Sequence, residues 1–199
     1  MKINIKIMCA QKDEKLQIVA FSTNDSSQTP NDIINIFLGQ QNHKILKKSK
    51  MAIAFSTQLK GKETRIMICS VLNLSKEYTG ITDVNCYLLF IDLEKSDSID
   101  RLKSIINYAK DNCRLSKKIF VLGMVSGNED EVVKFTKADV TQILDEFQAK
   151  YEYKEINLSK IKEISDIMEG IFEYSSHHPI DEEEEIDKEA DQARSCILF

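Results

Sequence analysis

Apolar positions recur in two rhythms along the chain, and their alternation sets the expected order of elements. Residues 2–8 alternate, with Ile3, Ile5 and Ile7 on one face, and predict a strand. A short stretch, "DEKLQIVAF", reads as helical and is followed by the polar loop "STNDSSQTPND". "NDIINIFLG" predicts one or two helical turns ending at Gly39. "MAIAFSTQL" and "TRIMICSVL", joined by "KGK" around Gly61, predict a β-hairpin. "NCYLLFID" and "KIFVLGM" are unbroken apolar runs, as in parallel strands covered on both faces.

The later segments carry a helical period. "SIDRLKSIINYAKD" spaces Ile99, Leu102, Ile105, Ile106 and Ala109 along one face. "TKADVTQILDEFQAK" opens with a capping pattern, Thr136 then Asp139, and presents Val140, Ile143, Leu144 and Phe147. "YEYKEINL" alternates as a strand, and "IKEISDIMEGIFEY" closes as an amphipathic helix. A strand, a helix, an antiparallel hairpin and three strand–helix units make an α/β three-layer domain. Its six-stranded sheet is mostly parallel with one antiparallel edge strand.

Composition narrows the class without naming a function. With 199 residues, 42% hydrophobic and 30% charged, the chain has the size and make-up of one globular domain. No apolar run approaches the length of a spanning helix, and the N-terminus lacks the unbroken apolar stretch of a secretory signal. Five cysteines (Cys9, Cys69, Cys86, Cys113, Cys196) form no metal-ligand pair and no even disulfide framework, which fits a reducing, cytoplasmic setting. Adjacent His177 and His178 have no third ligand in sequence.

Charge divides the chain into residues 1–174, the domain, and 175–199, an acidic tail expected to be disordered. The tail holds eight acids (Asp181, Glu182 to Glu185, Asp187, Glu189, Asp191) against Lys188 and Arg194, a balance of −6, and leaves +1 for the rest. No basic surface on that scale speaks for nucleic acid, so none is expected as a partner. Residues 44–50, "KILKKSK", and the hairpin turn form a smaller basic region, suited to an acidic partner or to the tail itself.

The chain ends Cys196-Ile197-Leu198-Phe199, a C-a-a-X box whose final phenylalanine favours geranylgeranyl. Cys196 is therefore the expected lipidation site, with a prenyltransferase and a prenyl-binding carrier as partners. The acids upstream oppose adsorption to anionic leaflets, so attachment to the cytoplasmic face of membranes should be reversible.

An ordered series of segments over residues 2–174 resembles the Ras superfamily of small GTPases, and within it the Rab branch. "FIDLEKSDSIDRLKSII" is similar to that family's "YDVTDRESFENLKNW", and "LKGKETRIMI" to its hairpin "LDGKRIKLQI". "VLGMVSGNED" takes the place of "LVGNKSDLED", and "YKEINLSKIKEI" that of "FIETSAKTGENV". The resemblance implies a G-domain-like fold and a role in vesicle trafficking or signalling.

It also implies a nucleotide site whose residues are replaced. Aligned behind a strand at 2–8, the phosphate loop G-x-x-x-x-G-K-[ST] falls on Cys9, Glu14, Lys15 and Leu16, keeping only Lys15 as a vestigial nucleotide-binding residue. Leu16 offers no hydroxyl to Mg²⁺. Ser70, Asn73 and Leu74 stand at the family's D-x-x-G-Q, and leucine orients no water, so hydrolysis lacks its positioning group. Met124, Val125 and Gly127 stand at the guanine-reading N-K-x-D, and Asn157, Leu158 and Ser159 at the base-backing loop. The switch threonine has no counterpart; Ser49 lies in its neighbourhood.

The expectation is a prenylated pseudo-GTPase without cofactor, binding an effector protein at the hairpin and flanking loops. One alternative is a divergent GTPase that still holds GTP or GDP with Mg²⁺. Another is an unrelated prenylated α/β adaptor.

Overall fold

The structure, a computed structural model, describes residues 15–23, 30–39, 43–49, 52–71, 74, 84–113, 116–128, 130–148 and 150–178. The expected strand at 2–8, Cys9, Glu14, Asn73 and the tail from 179, Cys196 included, lie outside them. In chain order the elements are β1 (Lys15–Ser22), α1 (Pro30–Leu38), β2 (Lys44–Lys48), β3 (Ala52–Leu59), β4 (Lys62–Ser70), β5 (Cys86–Asp92), α2 (Ser98–Asn112), β6 (Ile119–Val125), α3 (Lys137–Asp145), β7 (Tyr151–Asn157) and α4 (Ile161–Ser176).

The strands form one seven-stranded sheet in the order β2-β3-β4-β1-β5-β6-β7. β4, β1, β5, β6 and β7 pair in parallel, whereas β3 is antiparallel to both neighbours. The sheet is thus a mixed, mostly parallel one with an antiparallel edge, and has one strand more than the sequence predicts. Two of its strands are not predicted as strands: β1, in a run read as helical, and β2, which the sequence shows only as a basic patch; the predicted strand at 2–8 lies outside the described residues.

The run read as helical at 13–21 is corrected: from Lys15 on it is the strand β1. In β1, Leu16, Ile18 and Ala20 join one apolar cluster while Val19 and Phe21 join the other, so both faces are covered. A strand buried on both sides loses the polar–apolar alternation that would reveal it. Asn85 fixes the register at its foot, accepting the Gln17 N–H at 2.8 Å.

Helices cover the sheet on both sides. α1 and α4 pack on the face of Ile18, Ile68 and Leu88, where Phe37, Phe55 and Phe172 meet with ring centroids 5.3–6.2 Å apart. α2 and α3 cover the opposite face through Leu102, Ile105, Val140 and Leu144. The β3–β4 turn is tight because Lys60 (φ 49°) and Gly61 (φ 81°) are both left-handed, the geometry that matches the twist of hairpin strands. Thr136 and Asp139 close a reciprocal capping box at the start of α3, as the sequence predicts.

α4 reaches two residues past the expected domain end, and its last turn is fastened at the foot of the sheet. Asn85 Nδ2 donates to the His178 carbonyl at 3.1 Å. The His178 ring stacks on Tyr174 with centroids 4.0 Å apart, and Lys118 lies 4.3 Å from the centre of the Tyr174 ring. The two histidines therefore belong to a helix terminus, where His177 Nδ1 also contacts the Glu173 carbonyl at 2.6 Å.

Candidate functional site

In open, largely parallel sheets ligands bind beyond the carboxyl ends of the strands, where loops to the helices converge. Here that edge carries Thr23 after β1, Ser70 ending β4, Asp92 to Lys95 after β5, Ser126 to Asn128 after β6, and Asn157 to Lys160 after β7.

The loops after β5 and β6 are tied by a carboxyl group. The Ser126 N–H donates to both carboxyl oxygens of Glu94 at 3.0 Å, and the Ser126 hydroxyl donates to Oε1 at 3.1 Å. Burial, then a hydrogen bond shared with Glu131, raise the Glu94 carboxyl above its ordinary range. That same bond, helped by Ser126 and the nearby Lys95 charge, lowers Glu131. Glu94 is thus the member of the pair that holds a proton longer.

The loops after β6 and β7 sit in direct contact. Gly127 is left-handed (φ 77°), and a Cβ there would lie 2.7 Å from Ser159 Oγ and against Asn157 Oδ1. Asn157 Oδ1 meanwhile accepts from the Ser159 N–H at 3.0 Å and the Ser159 hydroxyl at 2.7 Å. The Leu158 N–H reaches back to the Val125 carbonyl at 2.9 Å. Only a residue without a side chain lets the two loops close this far.

Deeper in the edge, a hydroxyl relay joins β1 to β5 and α2. Buried Thr23 accepts the Asp92 N–H at 3.0 Å and donates to Ser98 Oγ at 3.2 Å. Asp92 accepts the Glu94 N–H at 3.1 Å and has Lys95 at 3.9 Å. Among the described residues, no three His, Cys, Asp or Glu side chains converge as metal ligands do.

Several residues singled out from the sequence take their places in the core. Leu16 is 4% exposed and Met124 1%, both in the α1–α4 cluster. Leu74 packs on the other cluster, and Ser70 is buried at the end of β4. Ser49 shapes the β2–β3 turn, its N–H donating to the Ala52 carbonyl at 2.8 Å.

Of the phosphate-loop register, Cys9 and Glu14 lie outside the described residues, while Lys15 and Leu16 fall in β1. Lys15 is the first residue of that strand, about 23 Å along it from Ser22 and at the opposite end from the loop edge. The segment that follows β1, "TNDSSQTP", contains neither glycine nor lysine. A phosphate loop needs glycines so that its amides can curl round an anion.

The Glu94–Ser126 tie is the feature that sequence reasoning missed. Glu94 and Ser126 stand in separate loops, and only the pairing of β5 with β6 makes them neighbours. The fold and this edge define a mixed-sheet α/β protein whose loop-edge polar groups largely bond one another. Comparison with models of known protein families, and with curated proteins, finds no match. No helix among the described residues is long and apolar enough to cross a membrane.

Proposed function

We propose that the chain is a Rab-like small-GTPase homologue with a G-domain-like fold. In this reading it is a pseudo-GTPase that binds no nucleotide and acts as a membrane-associated interaction module in vesicle trafficking or signalling. The antiparallel β3–β4 hairpin beside an otherwise parallel sheet, with helices on both faces, supports the fold; β2 is an addition to it.

The observation that carries the loss of nucleotide is the closed contact of the loops after β6 and β7. There Gly127 lies against Asn157 and Ser159, and Met124 faces the core. A base-reading site needs unpaired donors and acceptors, and each such bond lost costs roughly 1–3 kcal/mol of discrimination. The glycine-free segment after β1 supports the same reading on the phosphate side.

Cys196 carries a geranylgeranyl group in this proposal, added by a prenyltransferase and shielded by a prenyl-binding carrier. The effector surface is the hairpin and its flanking loops, where Lys60 and Lys62 are exposed.

Protein purified from eukaryotic cells tests both halves. Denaturation followed by ion exchange should release no guanine nucleotide, and intact mass should show a geranylgeranyl increment that Cys196→Ser abolishes. Stoichiometric GTP or GDP would establish the divergent-GTPase alternative. An unmodified Cys196 would end the lipid anchor.

A further inference from the structure

Among the described residues, β2 is a strand covered on neither face. All five residues are exposed, Ile45 to 51% and Leu46 to 45%, and among the described residues the strand is the last of the sheet. Three of the five are lysines: Lys44, Lys47 and Lys48. Its backbone and two apolar side chains suit an added extended segment, and its charges restrict what that segment can be.

A second copy pairing through the same edge is disfavoured. Antiparallel pairing centred on Leu46 would set Lys44 of one chain opposite Lys48 of the other, and like charges directly opposite destabilise a strand pair. The edge therefore suits an acidic extended segment with a central apolar residue. Residues 181–191, "DEEEEIDKEAD", are such a segment: eight acids, one lysine, and Ile186 at the centre.

The chain leaves α4 at the right place for it. Lys60, in the β3–β4 turn, lies 3.8 Å from Glu173 Oε2 and 3.5 Å from His177 Nε2, which puts the end of α4 beside that turn. Lys44 pairs with Ser56, three residues before β3 ends, so it stands about 10 Å up the strand and about 5 Å across. His178 itself is held at the foot of β5, four strands or about 19 Å across the sheet from β2. Two residues lie between His178 and Asp181, and the eight steps from His178 to Ile186 reach up to about 27 Å, enough to carry the acidic run past the hairpin turn onto β2. β2 itself is about 15 Å long.

We propose that residues 181–191 dock along β2 and the adjoining hairpin turn. Their carboxylates lie on Lys44, Lys47, Lys48, Lys60 and Lys62, and Ile186 sits against Ile45 and Leu46. Each exposed ion pair biases an equilibrium by up to about fivefold, so several together hold the segment by roughly tenfold to a hundredfold. The inference rests on neither a nucleotide site nor lipidation.

Zero-length carbodiimide coupling of the full chain, read by mass spectrometry on an equal mixture of ¹⁴N- and ¹⁵N-labelled protein, tests it. Tail carboxyls should couple to Lys44, Lys47, Lys48, Lys60 and Lys62 at least about tenfold more than to Lys103, Lys110 or Lys137, which lie on the α2–α3 side. The coupled pairs should be of a single isotope. The preference should collapse at about 0.5 M salt, where screening shortens to a few ångströms, and in the Lys44→Gln/Lys47→Gln/Lys48→Gln variant for those three sites. Even coupling across all lysines, salt-independent coupling, or mixed-isotope pairs would each overturn the proposal, the last by placing the tail on a second copy.

Discussion

Gly127→Ala tests the closed contact between the loops after β6 and β7, because one methyl group has to break it. Alanine would have to hold φ 77°, which costs an L-residue roughly 1–2 kcal/mol. Its Cβ would also stand 2.7 Å from Ser159 Oγ and 3.1 Å from Asn157 Cγ, closer than real contacts allow. Asn157 must then swing away and release the Ser159 N–H and hydroxyl, two bonds worth about 0.5–1.5 kcal/mol each and nearer the lower figure at an exposed site. The expected loss is about 2–4 kcal/mol in urea unfolding followed by circular dichroism. In Gly127→Ala/Asn157→Ala the clash with Asn157 vanishes and the Ser159 hydroxyl, no longer held by Asn157 Oδ1, can turn away, while the backbone strain remains. The double variant should therefore fall short of the summed single losses by about 1 kcal/mol or more. A single loss below about 0.5 kcal/mol, or strict additivity, would refute the reasoning.

Three further outcomes are expected. Gly123→Ala in β6 should cost about 1–3 kcal/mol, because its Cβ would lie 2.9 Å from Tyr153 Cζ and 3.1 Å from Leu93 Cδ1. Tyr153→Phe, which deletes a buried hydroxyl with no hydrogen-bond partner among the described residues, should be neutral or stabilising and should partly rescue Gly123→Ala; both are read as urea midpoints. His43 lies between Phe37 and Phe55 at centroid distances of 4.5 and 5.8 Å, and burial lowers its pKa against the opposing pull of Glu169. The unfolded chain then takes up a proton that the folded one refuses. Stability should therefore fall as pH drops through about 6.5, level off below the lowered folded value, and lose that component in His43→Phe. Finally, replacing the eight tail acids by lysine should move the lipidated protein strongly onto anionic vesicles in a flotation assay, and an unchanged distribution would remove charge as the control.

The elements easiest to read from sequence are those exposed on one side. α2, α3 and α4 carry a polar face against an apolar one, and the hairpin announces itself through Gly61. β1 fails that test, since its apolar residues serve two cores and leave only Gln17 to hint at alternation. β2 fails for the opposite reason: with no buried face it shows no pattern but its lysines. Lys15, read as a phosphate-loop lysine behind a strand at 2–8, begins β1. At the loop edge, Gly127, Asn157 and Ser159 were visible as positions. Their contact, and the Glu94–Ser126 tie, follow from strand pairing, which one chain's residue order does not display.

The pinned end of α4 gives the molecule a floor and a roof. Asn85, Lys118 and Tyr174 clamp the last turn where β5 and β6 begin, so whatever follows His178 departs from beneath the sheet. The β3–β4 turn shares that end with α4, and the Gly127 rim stands at the other. Anything held at the Gly127 rim therefore stands a full strand length, about 23 Å, from the end of α4.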